Sequence, residues 1–174
     1  MTDEQMQYPI GKFKAPVSYT TEDIHKWTTT IKEFPGRLRQ AIISLNETQL
    51  DTPYRTGGWT IRQVVHHVAD SHINALIRLK LALTEENPTI KPYEEADWAL
   101  LADYRMPVES SLKILEGIHL HWVAILESLT EEEWNRTFLH PESGNVTQLK
   151  KALALYAWHS KHHLAHVTET IKKF

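Results

Sequence analysis

The sequence contains no cysteine. This removes a disulfide framework, cysteine zinc ligands, a thiol nucleophile and a redox pair from the chain's own chemistry. Any thiol chemistry must therefore arrive with a substrate. Six glycines and eight prolines in 174 residues are too few for a collagen-like or low-complexity chain. Neither sign of charge dominates: 19 basic against 22 acidic residues leave a formal charge of −3 with the histidines neutral. That balance excludes the strongly basic face of a nucleic-acid binder. No apolar run approaches the ~18 residues of a membrane span, so no membrane partner is expected. The first residues, MTDEQMQYPI, have no basic stretch leading into an apolar one, so a secretory signal is not expected and the expected address is the cytoplasm.

The length fits one domain of the ordinary range, roughly 100–200 residues. Such a chain buries about 70% of its unfolded surface and needs no staple. The expected organisation is a single domain over 1–174, with an extended N-terminal arm at 1–19 and a four-helix bundle at 20–174. Pro9, Gly11 and Pro16 are the breakers that mark the arm. Long helical patterns cover 21–45, 60–84, 108–129 and 147–173. Pro35-Gly36 predicts a kink or break in the first. Thr60 and Gln63 form a capping box for the second, after the Gly57-Gly58 turn. Thr130 and Glu133 form another, for a short turn holding Trp134. A shorter helical stretch lies within 94–103. Few segments alternate as strands do. Four helices of this length predict an all-α four-helix bundle, and the loop over 87–107 is long enough for a crossover connection.

Against the missing cysteines stand eleven histidines, seven of them in two short windows. The stretch YAWHSKHHLAHV carries His159, His162, His163 and His166. Residues four apart share a helix face, so His159/His163 or His162/His166 could chelate one ion. Leu149, Leu153, Tyr156, Leu164, Val167 and Ile171 form the apolar stripe. His163 lies at its edge and His159 just beyond, so this pair leans inward. His162 and His166 read as outer or second-layer residues. The Glu of an HExxH zinc-protease motif is missing, because Ser160, Lys161 and His162 fill the interval. Three imidazoles suit zinc, nickel or a related ion with positions left open. A third ligand from the second helix has two candidates. His72 lies inside the stripe of Ile61, Val65, Val68, Leu76 and Leu79, where a lone histidine is usually a satisfied core residue. His67 lies on the flank beside Gln63, Ser71 and Asn74, and His66 points away. Periodicity leaves His67 and His72 open.

The stretch LDTPYRTGGWTIRQVVHHVADSH (residues 50–72), followed far downstream by WHSKHHLAH (158–166), resembles the DinB/YfiT-like superfamily. Its specific parts are the spacing from Trp59 to His67 and the ending from His159 to Leu164. The likeness falls in the branch of metal-dependent hydrolases associated with bacillithiol S-transfer. It implies a bundle with crossover connectivity, frequent homodimers, and one metal held by one histidine of the second helix and two of the last. Carried onto this sequence, these are His67, His159 and His163. The implied cofactor is one divalent ion, zinc first and nickel second.

Such an ion would lower the pKa of a thiol or a water in its open position. The expected activity is therefore transfer of a small thiol, bacillithiol, to an electrophile. Hydrolysis is the alternative, and a non-enzymatic ligand-binding bundle the second alternative. Ser71 and Asn74 are candidate pocket residues beside His67, although polar boundary positions are commonly just that. Trp59 and Trp158 read as walls. Arg55 and Arg105 sit in loops and could hold a substrate carboxylate, although solvated charge is the commoner fate of such residues.

Overall fold

Helix starts are written into the chain as reciprocal caps. Thr2 with Gln5, Thr20 with Asp23, Asn46 with Gln49, Thr60 with Gln63 and Thr130 with Glu133 each form a capping box, satisfying two otherwise orphaned backbone donors. The computed structural model describes residues 2–174. These caps open α1 (Asp3–Gln7), α2 (Thr21–Ile42), α3 (Glu47–Leu50), α4 (Ile61–Thr84) and α7 (Glu131–Trp134). The other helices are α5 (Glu95–Trp98), a 3-10 turn at Ala102–Arg105, α6 (Glu109–Leu126) and α8 (Leu149–Ile171).

The four long helices make the expected bundle. α2 packs against α6 and α8, and α4 packs against the same two. Consecutive helices α2 and α4 therefore occupy diagonal corners, and so do α6 and α8. The crossovers are the links over 43–60 and 127–148. The longer link after α4, the one expected to cross, joins neighbours.

Several details differ from the sequence reading. α2 runs through Pro35 without a break and stops at Ile42. Pro35 is buried, so packing on both sides of the helix outweighs one missing hydrogen bond. The arm is not wholly extended, because the Thr2 capping box winds Asp3–Gln7 into a helical turn. Two short strands, β1 (Thr137–His140) and β2 (Asn145–Gln148), pair antiparallel from Thr137↔Gln148 to His140↔Asn145. Four residues are too few to display a period of two, which hid them. Gly144, at φ +65°, lies in the turn. β2 consumes the residues expected to begin the last helix.

The apolar core divides into two clusters. One gathers Ile31, Leu76, Leu79, Trp122, Leu126 and Leu153. The other gathers Phe34, Leu38, Val64, Val65, Leu115 and Val167. His72, fully buried, lies between them, 5.3 Å from the Phe34 ring and 5.5 Å from the Trp122 ring.

Leu115→Ala, at a fully buried position, should cost about 2–5 kcal/mol in urea unfolding. Leu120→Ala, at a position 75% exposed, should stay within about 0.5 kcal/mol. Equal losses at the two positions would contradict this core.

Candidate metal centre

α4 and α8 are packed neighbours in the bundle, and their histidines meet between them. His67 comes from α4 and His159 and His163 from adjacent turns of α8. One ring nitrogen of each lies within 4.8 Å of the other two. The rings stand 4.4 Å apart for His159/His163, 4.8 Å for His67/His163 and 5.5 Å for His67/His159, measured between centroids. The Nδ1 atom of His67 is buried with no hydrogen-bond partner among the described residues. An orphaned nitrogen beside two further imidazoles is a donor set that fits a divalent ion.

The remaining histidines surround this trio. His72 is buried behind His159: its Nε2 lies 3.2 Å from His159 Nδ1, and its Nδ1 lies 2.8 Å from Nε2 of His119 on α6. His119 Nδ1 donates in turn to the Ile31 carbonyl at 2.6 Å. On the other side, His166 Nδ1 is 3.3 Å from His163 Nδ1, and its Nε2 donates to the Gln7 carbonyl at 3.1 Å.

Of the two places the sequence left open for His162 and His166, outer or second-layer, the structure gives the second: both are buried. The N-terminal arm covers them. Trp158 stacks on His162 at 4.5 Å and donates its indole N–H to the Gly11 carbonyl. Tyr54 stacks on His166 at 4.1 Å. Asp3 reaches Arg55 at 3.8 Å. Helical periodicity could not see this, because the cover comes from a segment more than a hundred residues away. His66 is likewise buried rather than pointing to solvent. Its Nε2 donates to the Met106 carbonyl at 3.1 Å, and its Nδ1 lies 2.7 Å from the Ser111 hydroxyl. α6 and the 3-10 turn cover that flank of α4.

A cleft of about 200 Å³ reaches His159. Ser71, Arg78, Tyr93, Glu95, His140 and Tyr156 are among its walls. Ser71 is thus at the site. Asn74 is not among the lining residues, and its side-chain amide donates back to the Asp70 carbonyl. Trp59 packs on His67 at 4.5 Å, as a wall. Arg105 lines a separate cleft with Glu47, Asp51 and Arg62, away from the trio. Arg55 lies beside the Tyr54 ring. The cationic wall of the His159 cleft is instead Arg78, which sequence reasoning missed. Its guanidinium makes only long contacts of 3.4 Å, to Tyr156 Oη and the Lys91 carbonyl, and its Nε is buried without a partner among the described residues. No motif marks Arg78, Tyr93 or His140; only their meeting in space does.

Burial holds these imidazoles neutral. His67 is pushed down to about 4, by desolvation first and by nearby His166 second. Burial also brings His119, His162 and His166 to about 4. His72, His159 and His163 are held well below the ordinary histidine value by desolvation and by one another. Neutral imidazole is the form that binds metal.

Residues 30–167 match the DinB superfamily, and the chain belongs to it. It is 52% identical over 167 residues to the "Putative metal-dependent hydrolase" of Oceanobacillus iheyensis, covering 96% of both chains. It is 54% identical over 168 residues to a protein of the same name in Bacillus cereus, covering 97% of this chain and 96% of the relative. Among solved structures it superposes on YfiT from Bacillus subtilis with TM-score 0.94 and 46% identity over 97% of each chain; that protein is described as "a probable metal-dependent hydrolase with an unusual four-helix bundle topology". The bundle with crossed connections is thus shared. A mycothiol-dependent maleylpyruvate isomerase shares the fold at 15% identity and TM-score 0.61, over 80% of this chain and 60% of the other. Among the described residues no helix is long and apolar enough to cross a membrane.

The sign of the pH dependence follows from these shifts. Below the ordinary histidine value near 6.5, the unfolded chain binds protons that the folded chain refuses until about pH 4. Stability is therefore complete above about pH 6.5 and falls as the pH drops. Each proton of difference contributes about 1.4 kcal/mol per pH unit. In metal-free protein, the unfolding free energy from urea titration should fall by more than about 1.4 kcal/mol from pH 6.5 to 5.5, because several groups contribute. A flat profile would mean that the histidines reach solvent.

Proposed function

We propose that the chain is a metal-dependent enzyme that holds one divalent ion on His67, His159 and His163 and acts on a small molecule docked in the His159 cleft. The observation that carries this reading is the meeting of three neutral imidazoles from two helices, His67 and His163 buried and His159 half-buried at the edge of an open cleft. Three nitrogen ligands suit zinc first and nickel second, and leave coordination positions free. When bound, the ion supplies positive charge that makes a neighbouring thiol or water nucleophilic near neutral pH.

The chain's own residues have distinct tasks. Burial keeps the three imidazoles unprotonated, so no proton must leave before the ion binds. Trp59 and the arm-covered His162 and His166 close the sides away from the cleft. Arg78 presents its guanidinium, without a carboxylate hydrogen-bonded to it, to an anionic group of the substrate. This is the task the sequence suggested for Arg55 or Arg105.

The reaction class we favour is S-transfer from a small thiol, bacillithiol, to an electrophilic carbon, with the leaving group departing as the C–S bond forms. Two points support it. The chain has no thiol of its own, and the more distant bundle of the same fold is named for dependence on mycothiol. Hydrolysis is the second reading, favoured by the names of the relatives more than half identical to this chain.

Metal-loaded protein offered bacillithiol and a chromogenic haloarene should form the conjugate, and an ester panel should give little turnover. Ester turnover without conjugation would select hydrolysis. Tight binding with neither reaction would make the bundle a binding protein. Chelation should abolish turnover while leaving helical circular dichroism intact, because the two apolar clusters hold the fold. His159→Ala and His163→Ala should each lose stoichiometric zinc in elemental analysis. Arg78→Gln should keep the zinc and raise KM about tenfold, the loss of one charge-assisted contact. An unchanged KM would remove Arg78 from substrate binding.

A further inference from the structure

We propose that His119, His72 and His166 are positioning residues. They form two relays of hydrogen-bonded imidazoles that fix His159 and His163 in the Nδ1–H tautomer, so that the Nε2 lone pair of each faces the ion. The inference rests on His67, His159 and His163 being the ligands, and adds what orients two of them.

The relays follow from counting donors. A neutral imidazole has one N–H and one lone pair, and a carbonyl oxygen can only accept. His119 Nδ1 lies 2.6 Å from the Ile31 carbonyl, so it carries the proton and Nε2 is left to accept. His72 Nδ1, 2.8 Å from that Nε2, must then donate, which makes His72 Nε2 an acceptor. His159 Nδ1, 3.2 Å from His72 Nε2, must donate in turn. His159 is left with its lone pair on Nε2. The second relay is one ring shorter. His166 Nε2 donates to the Gln7 carbonyl at 3.1 Å, and His166 Nδ1 accepts from His163 Nδ1 at 3.3 Å. His163 also keeps its lone pair on Nε2.

Both relays end on carbonyls that their own helices leave unpaired. Pro35 stands four residues after Ile31 inside α2 and has no N–H to give it. Gln7 is the last residue of α1, where intrahelical donors have run out. The proline that should have broken α2 thus frees the acceptor that starts the longer relay. His67 differs, because its Nδ1 has no partner among the described residues. The alternative trio of His162, His163 and His166 also has ligand atoms within 4.8 Å. It shares His163, and its His166 has both nitrogens engaged.

The test uses the full chain labelled with 15N in its histidines. In metal-free protein at pH 7.5, long-range 1H–15N correlations should give Nδ1–H for His119, His72, His159 and His163, and Nε2–H for His166. An Nε2–H or averaged tautomer at His159 or His163 would overturn the proposal. On loading with 113Cd, 15N couplings should run through Nε2 of His159 and His163, and coupling through Nδ1 of either would also overturn it. Failure to take up cadmium or zinc would instead remove the metal reading, while the metal-free tautomers still decide the relays. His119→Leu removes the acceptor for His72 and should weaken zinc binding about 10–100-fold. His119→Gln keeps an acceptor and should recover most of that loss. A folded His119→Leu protein with wild-type zinc affinity and an unchanged His159 tautomer would count against the proposal, and if that variant does not fold, the wild-type spectra stand as the test.

Discussion

An imidazole taken out of water must keep its proton count at one and find a partner for each nitrogen. Both demands follow from the same cost, since a buried charge or an unmade hydrogen bond is expensive in a low-dielectric interior. The chain buries His66, His67, His72, His119, His162, His163 and His166, so the demand falls on every layer of the bundle. The answer is a set of acceptors that regular helices do not normally offer. Ile31, Gln7 and Met106 supply backbone carbonyls to His119, His166 and His66 respectively. These bonds tie the four long helices and the arm to one another, while His67 Nδ1 and His162 Nδ1 have no partner among the described residues. From Ile31 through His119 and His72 to His159, the hydrogen bonds cross α2, α6, α4 and α8 in turn.

This explains why the core is divided. A single apolar core would leave no room for polar side chains linking four helices. Two apolar clusters, one on either side of His72 and His119, supply the burial that holds the fold. The polar layer between them is enclosed by Phe34 and Trp122. The apolar burial and the histidine cluster are thus carried by different residues. One cleft reaches this layer at His159 and another at His119. Trp158 and Tyr54 pack on the α8 histidines and Trp59 on His67, so the trio itself is approached from the His159 cleft.

What the sequence revealed about this arrangement depended on whether the signal was local. Capping boxes, the long 3.6-residue periodicities and the four-residue spacing of His159 and His163 are local, and each matched the structure. The DinB likeness pointed to His67 over His72, and the folded chain brings His67 to His159 and His163 while setting His72 one ring behind. Signals that depend on distant segments were lost. His119 is one of two histidines in the largely apolar α6, with nothing in the local sequence to show that it faces another on α4. Arg78 lies on a face of α4 that becomes a wall only once α8 is placed. His162 and His166 were left between an outer and a second-layer place because nothing local shows that the N-terminal arm covers them. Pro35, expected to kink or break the helix, does not break it. Its local meaning is a lost hydrogen bond, and its use for the carbonyl left behind appears only when α6 packs against α2.

The diagonal topology completes the reasoning. In a simple up-and-down bundle the first and second long helices would be neighbours. Here α2 and α4 stand at opposite corners, and both touch α6 and α8. α4 can therefore meet α8 on one side, where His67 faces His159 and His163, and α6 on another, where His72 meets His119. Five residues apart on α4, His67 thus meets His159 and His163 while His72 sits between His119 and His159. With α4 moved to a corner next to α2, the distance from Ile31 to His159 could not be bridged through His119 and His72. The crossed connections thus let hydrogen bonds run from Ile31 of α2 to His159 of α8 through His119 and His72.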